Sequence, residues 1–239
     1  TDHYTKYLGE DVSKLRVGLL VEGFSWPECD KNVNNAVRGA VENLTKLGID
    51  VENVSIPMFL QAPDIWMVII IISATSMLES NGEGYWHGGY YNTGWISFLG
   101  AARKARSSDL PPFLKLSMII GKYMREEYFS IHHAKAQNLR RMLRTYVDRV
   151  LDYCDAIALP VTPITPIKLA GELSYTEALQ RGTMLVKNCC PFNLTGHPSL
   201  AIPCASHEGL PVGLQLVSRR WNERVLFMLG YAFEQSFDW

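Results

Sequence analysis

Residues 191–203 read Pro191-Phe192-Asn193-Leu194-Thr195-Gly196-His197-Pro198-Ser199-Leu200-Ala201-Ile202-Pro203, and Pro211-Val212-Gly213-Leu214-Gln215-Leu216-Val217 follows shortly after. The pattern predicts a constrained loop, a short buried strand, a tight turn and a second strand. Gly196 and Pro198 fix the backbone ahead of the first strand. Ser199 to Ile202 is short, apolar and closed by Pro203. A loop of this kind at a sheet edge is a common place to hold a small ligand.

Working outward, Leu15–Val21 is an apolar strand. Val33, Ala36, Val37, Ala40, Val41, Leu44 and Leu47 then recur at helical spacing, with Gly48 placed to stop the helix. Val51–Ile56 alternates and ends at Pro57. Strand, helix, strand predicts a βαβ unit, and hence a parallel pair of strands with helices on the faces. Pro63 to about Leu78 reads as a buried helix, and Gly82 to Trp95 as an ordered loop. From Pro111 to Leu151 two long helices are expected, broken near Gly121 or Ser130, with Ala136, Leu139, Leu143, Tyr146 and Val150 as an apolar stripe. Ala156–Pro160 is a strand, Tyr175–Val186 and Asn222–Ser236 are helices, and Leu200–Pro203 and Gly213–Ser218 close the sheet. The expected class is α/β, a mixed sheet flanked by helices, in one domain over 1–239.

The chain has 239 residues, 47% of them hydrophobic and 20% charged, enough for a sizeable core. A net charge of −1 offers no electrostatic case for nucleic acid or an anionic membrane surface. The apolar run Ile65–Ile72 is far shorter than the ~20 residues of a membrane span. Five cysteines show neither disulfide-framework nor zinc-like spacing, so a reduced, cytoplasmic protein is expected.

Asn193 and Thr195 offer hydrogen-bonding groups from a loop whose backbone is held, and are the first site candidates. Cys189-Cys190 with His197 nearby in sequence would suit a nucleophile and its base, against the blander reading of buried inert thiols. His132-His133 suggests a metal, but adjacent helical residues diverge by about 100°, so no metal is expected. Tyr85, Trp86, Tyr90 and Tyr91 could line an apolar pocket or simply pack on the core. Lys135, Arg140, Arg141 and Arg144 read as a solvated basic face near Glu126 and Asp148.

The order of Asn193-x-x-Gly196-x-Pro198-Ser199, a strand ending in Pro203 and Pro211-x-Gly213-x-Gln215 resembles the C-terminal region of the amidase signature family of amide hydrolases. Three further segments agree: Tyr153-Cys154-Asp155-Ala156-Ile157-Ala158-Leu159-Pro160-Val161-Thr162-Pro163, Ala134-Lys135-Ala136-Gln137-Asn138-Leu139-Arg140 and Lys14-Leu15-Arg16-Val17-Gly18-Leu19-Leu20. The family's chemistry uses a serine nucleophile, a second serine in a cis peptide and a lysine, with the serines in a Gly-Gly-Ser-Ser-Gly stretch. No such stretch is present; the only Gly-Gly is Gly88-Gly89. The resemblance therefore implies the C-terminal half of an amidase, with no catalytic residue in this chain. The implied partner is an N-terminal half carrying the Ser/Ser/Lys set, in a complete enzyme that could dimerise. It also implies hydrolysis of small aliphatic or aromatic carboxamides to acid and ammonia, without a cofactor. Cys190 and Phe192 would form an apolar pocket wall. Trp86 would stand near the substrate entrance, because similar Trp-x-Gly-Tyr-Tyr stretches occur there in the nitrile-degrading branch. The rivals are a non-catalytic interaction module derived from an amidase, and a Cys-His hydrolase.

Overall fold

In the computed structural model the described residues are 2–84, 88–167 and 174–237. Strand β1 (Arg16–Leu20) is buried from Val17 onward. It feeds helix α1 (Lys31–Lys46), whose N-terminus is capped by the Asp30 carboxylate accepting from the Asn32 N–H. Val33, Val37, Ala40, Val41 and Leu44 form its buried face. Strand β2 (Asp50–Val54) returns parallel to β1, completing the expected βαβ unit. Strand β3 (Ala156–Pro160) pairs parallel to β1 on its other side and is wholly buried. Strands β4 (Ser199–His207) and β5 (Leu210–Ser218) form an antiparallel hairpin, and β5 runs antiparallel to β3. The sheet order is β2-β1-β3-β5-β4. It is the mixed, helix-flanked sheet of an α/β fold.

Two details of the hairpin differ from the sequence reading. β4 runs past Pro203 to His207, with a bulge between Pro203 and Ala205. An edge strand tolerates a residue with no N–H to donate, so Pro203 does not end the strand. The residues before it are not a loop throughout: Cys190–Thr195 form a short helix, here α7, closed by Gly196 in the left-handed region. The tight turn is as expected: Glu208 and Gly209 both have positive φ, as a two-residue hairpin turn requires.

The described chain falls into two compact units. The first comprises 1–63, 140–173 and 180–239 and contains the whole sheet. Helix α8 (Glu223–Ser236) packs on it, with Gly230 against Leu200 and Ile202.

The second unit comprises 64–139 and 174–179. It contains nearly all of α2 (Ala62–Glu79), then α3 (Thr93–Ala105) and α4 (Pro112–Tyr128), the first part of α5 (Ile131–Val150) and the start of α6 (Tyr175–Val186). The stretch Pro57–Glu79 is long and apolar enough to cross a membrane by length and composition alone, and 33% of its 18-residue apolar window is buried, so the helix expected to be buried over Pro63–Leu78 buries only part of its surface. Thr75 is buried inside it and its hydroxyl donates to the carbonyls of Ile71 (2.8 Å) and Ser117 (3.3 Å). The break after α4 falls at Phe129 and Ser130, both at positive φ, while Gly121 stays inside the helix and lets α2 approach. Trp95, expected in a loop, lies in α3, which the Asn92 side chain caps by accepting from the Trp95 N–H at 2.9 Å. On α5 the buried positions are Ala136, Leu143 and Val147, whereas Tyr146 is exposed.

Candidate functional site

Helix α7 links the two ends of the sheet. Just ahead of it, Asn188 lies fully buried beyond the carboxyl ends of β1 and β3. Its Nδ2 donates to the carbonyls of Gly23 (3.0 Å) and Pro160 (2.8 Å), and its Oδ1 accepts from the Trp26 indole at 2.7 Å. One side chain thus ties the segment after β1 to the end of β3. The Lys187 ammonium stands over the Trp26 ring and pairs with Glu28 at 2.9 Å. Trp26, Phe59 and Phe192 form a chain of tilted ring contacts, 6.2 and 5.9 Å between centroids. In open α/β sheets ligands gather at carboxyl ends of strands, so this is the end where a substrate wall is to be sought.

Cys189 and Cys190 lie here too. The Cys189 thiol contacts the Val161 carbonyl at 3.3 Å. Burial raises the Cys189 thiol and pushes Cys190 to about 12. A thiol held protonated in this way is a poor nucleophile.

At the other end of α7 the chain reaches the start of β4. Ser199 pairs across β5 with Val217, which pairs with Ile157, so this end is level with the amino end of β3. Thr195 is fully buried. Its carbonyl accepts from Arg144 Nε at 2.8 Å, and its hydroxyl is 2.8 Å from His197 Nδ1. His197 Nε2 is 3.1 Å from Asp148 Oδ1. A carboxylate only accepts, so Nε2 carries the proton and Nδ1 accepts from the Thr195 hydroxyl. Burial lowers the His197 pKa, the nearby guanidiniums of Arg220 and Arg144 add to this, and Asp148 opposes it. Both ring nitrogens are engaged, neither by a cysteine, and no Cys-His nucleophile is assembled among the described residues. Arg144 is correspondingly not part of a solvated face; it holds the end of α7.

The sequence-predicted site residues are thus distributed along α7. Cys190 and Phe192 are buried, Phe192 against the Phe59 ring. Asn193 is exposed and, with Phe192, borders an open groove of ≈ 540 Å³ that also takes in Arg144, Gly196, His197, Pro198, Arg220, Trp221 and Glu223. Thr195 is inaccessible to a ligand, since both of its oxygens are used internally. Trp86 lies outside the described residues. Of the neighbouring aromatics, Tyr90 is 86% exposed. Sequence reasoning missed Trp26 and Asn188, whose pairing is invisible to periodicity because it spans distant segments. The one available signal was the Asn beside a Cys pair just before the Gly-x-Pro motif.

Comparison with known proteins gives this geometry a context. A glutamyl-tRNA(Gln) amidotransferase polypeptide of Clostridium kluyveri is 30% identical over 238 residues, covering 99% of this chain and 47% of that protein. An enantioselective amidase of Rhodococcus rhodochrous is 31% identical over 224 residues, covering 93% and 43%. Among solved structures, a bacterial aryl acylamidase of the amidase signature family superposes with a TM-score of 0.75 at 20% identity, over 99% of this chain and 46% of that one. A 6-aminohexanoate cyclic dimer hydrolase does so with a TM-score of 0.75 at 21% identity, over 100% and 48%. The chain spans about half the length of the curated relatives it matches. The Amidase family model matches residues 1–227, and the chain belongs to that family.

Proposed function

We propose that this chain is the C-terminal half of a single amidase domain and completes an enzyme that hydrolyses small aliphatic or aromatic carboxamides. The observation that carries the reading is the match of nearly the whole chain to less than half of each relative. The family resemblance supplies the chemistry: acyl transfer through a serine on the other half, with backbone N–H groups on the oxyanion. This half contributes the sheet and an apolar wall. Cys190 and Phe192, backed by Phe59 and Trp26, form that wall, and Asn193 and Thr195 shape the end of α7. No cofactor is required, and the complete enzyme works in the cytoplasm.

The test is ammonia release. The chain alone is expected to hydrolyse neither acetamide nor benzamide, because losing nucleophile and base costs on the order of 10⁶ in rate. Together with a Ser/Ser/Lys half, turnover should reach the ordinary enzymatic range of ~1 s⁻¹ or above. Turnover by the isolated chain at that rate would refute the half-enzyme reading.

A second reading follows from the amidotransferase relatives, which match 98–99% of the chain at up to 30% identity. On it, the amide is glutamine and the ammonia passes to an acceptor. Glutamine consumed at least tenfold faster than benzamide by the complete enzyme would favour this reading.

A further inference from the structure

The groove at the end of α7 holds an unusual set of groups. Arg144 spends only its Nε on the protein, donating to the Thr195 carbonyl at 2.8 Å. That bond fixes the plane of the guanidinium and leaves both Nη groups with no acceptor among the described residues. Burial and the neighbouring cations Arg220 and Arg140 depress its pKa, with only Asp148 counteracting them. Asp148 is itself shared between His197 at 3.1 Å and Arg220 at 3.5 Å. Glu223, the other carboxylate on the groove, accepts from the Tyr4 hydroxyl at 3.3 Å. His197 is buried and held neutral, so it adds no charge. Arg144 is therefore a cation whose natural counterpart is missing from its surroundings.

Trp221 borders the same groove and is 92% exposed. Its φ of 66° is one that a large aromatic residue rarely adopts. The floor beside it is open, since a Cβ added to Gly196 would meet only the Arg144 Nη2, at 3.7 Å. At ≈ 540 Å³ the groove has the size of a small-molecule site.

We propose that this groove binds a carboxylate, held in the fork of the two free Arg144 Nη groups, with its apolar part lying on the Trp221 indole. A planar guanidinium with two parallel donors matches a carboxylate better than a point cation would. The carboxylate comes either from a free aromatic acid or from an Asp or Glu side chain of a partner protein. The site needs no amide chemistry, and its test is a binding measurement.

Benzoate, its neutral counterpart benzyl alcohol, and a glutamate residue blocked at both termini are titrated onto the intact protein by ligand-observed saturation-transfer NMR. Saturable benzoate binding is expected, with none for benzyl alcohol. Arg144→Gln and Trp221→Gly should each weaken it at least tenfold, and Arg149→Gln, on the exposed face of the same helix, by less than twofold. Glycine suits the positive φ of position 221, so that variant stays folded even if loss of the Arg144–Thr195 bond unfolds the other. Benzoate bound tenfold tighter than blocked glutamate identifies a free aromatic acid, and equal binding identifies a partner's side chain. If neither saturates by ~50 mM, or if Trp221→Gly or a folded Arg144→Gln binds as well as the parent protein, the site does not exist.

Discussion

At the scale of single residues, Gly196 and His197 carry the end of α7 in different ways. Gly196 has a φ of 75° and a Cβ there would make only an ordinary contact, with Arg144 Nη2 at 3.7 Å, so its demand is conformational and not one of space. Gly196→Val should cost about 1–2 kcal/mol or more in thermal unfolding, from forcing a β-branched residue left-handed. Ser206→Val, exposed on β4, should change stability by about 0.5 kcal/mol or less. Equal losses would show that the Gly196 turn is ordinary surface. His197 makes a pH prediction. Its folded pKa lies below the ordinary 6.5. As pH falls through that unfolded value toward the folded one, the unfolded chain takes up a proton that the folded chain refuses. Stability is then full above about pH 6.5 and declines below it, by at most ~1.4 kcal/mol per pH unit for one proton. Denaturation of His197→Asn between pH 5 and 7 should show a shallower slope than the parent. Gly196 was legible because Gly-x-Pro declares a turn. Arg144 was not, because its spacing from Arg140 reads as a solvated stripe and only the fold brings Thr195 to it.

At the scale of elements, helix contacts decide which glycines are replaceable. In the second unit, a Cβ on Gly121 would collide with the Thr75 hydroxyl and lie 2.8 Å from the Ile71 carbonyl. A backbone atom cannot step aside, so Gly121→Ala should destabilise by about 1–3 kcal/mol despite alanine's better helix propensity. Gly39, in α1, has open space around it, and Gly39→Ala should stabilise by roughly 0.5–1 kcal/mol. Urea unfolding of both variants checks the pair, and the two signs must differ. Phe129, 89% exposed and left-handed, makes a third case. Relief of its backbone should make Phe129→Gly stabilising by up to about 1 kcal/mol. The helices α1 and α8 and the βαβ unit could be read from the sequence because each has one apolar face and clear punctuation. The start of α3 could not, since Gly, Tyr and Trp around Trp95 look like a loop, and only the Asn92 cap reveals the helix. Nor could α7, whose six residues are too few to show a period.

At the scale of the whole molecule, the sheet ends in two edges, β2 and β4. Ala201 is exposed on β4, which has no strand on its outer side among the described residues. The isolated chain should self-associate, and Ala201→Lys should reduce the associated mass seen by light scattering. The same edge is blunted at one point by Pro203 and the bulge that follows. The five thiols are free, and burial holds Cys154 and Cys190 at about 11 and about 12. In the folded protein these two should resist alkylation at neutral pH and react only after denaturation. The position of β3 has a further consequence. Its neighbours are β1, begun at Arg16, and β5, finished at Ser218. During synthesis β1, α1 and β2 leave the ribosome as a self-contained unit, but β3 emerges with one flank bare. At ~5–20 residues per second, several seconds pass before β5 arrives to cover it. The nascent chain is therefore expected to engage chaperones during that interval, and slow codons between β3 and β5 would lengthen its exposure.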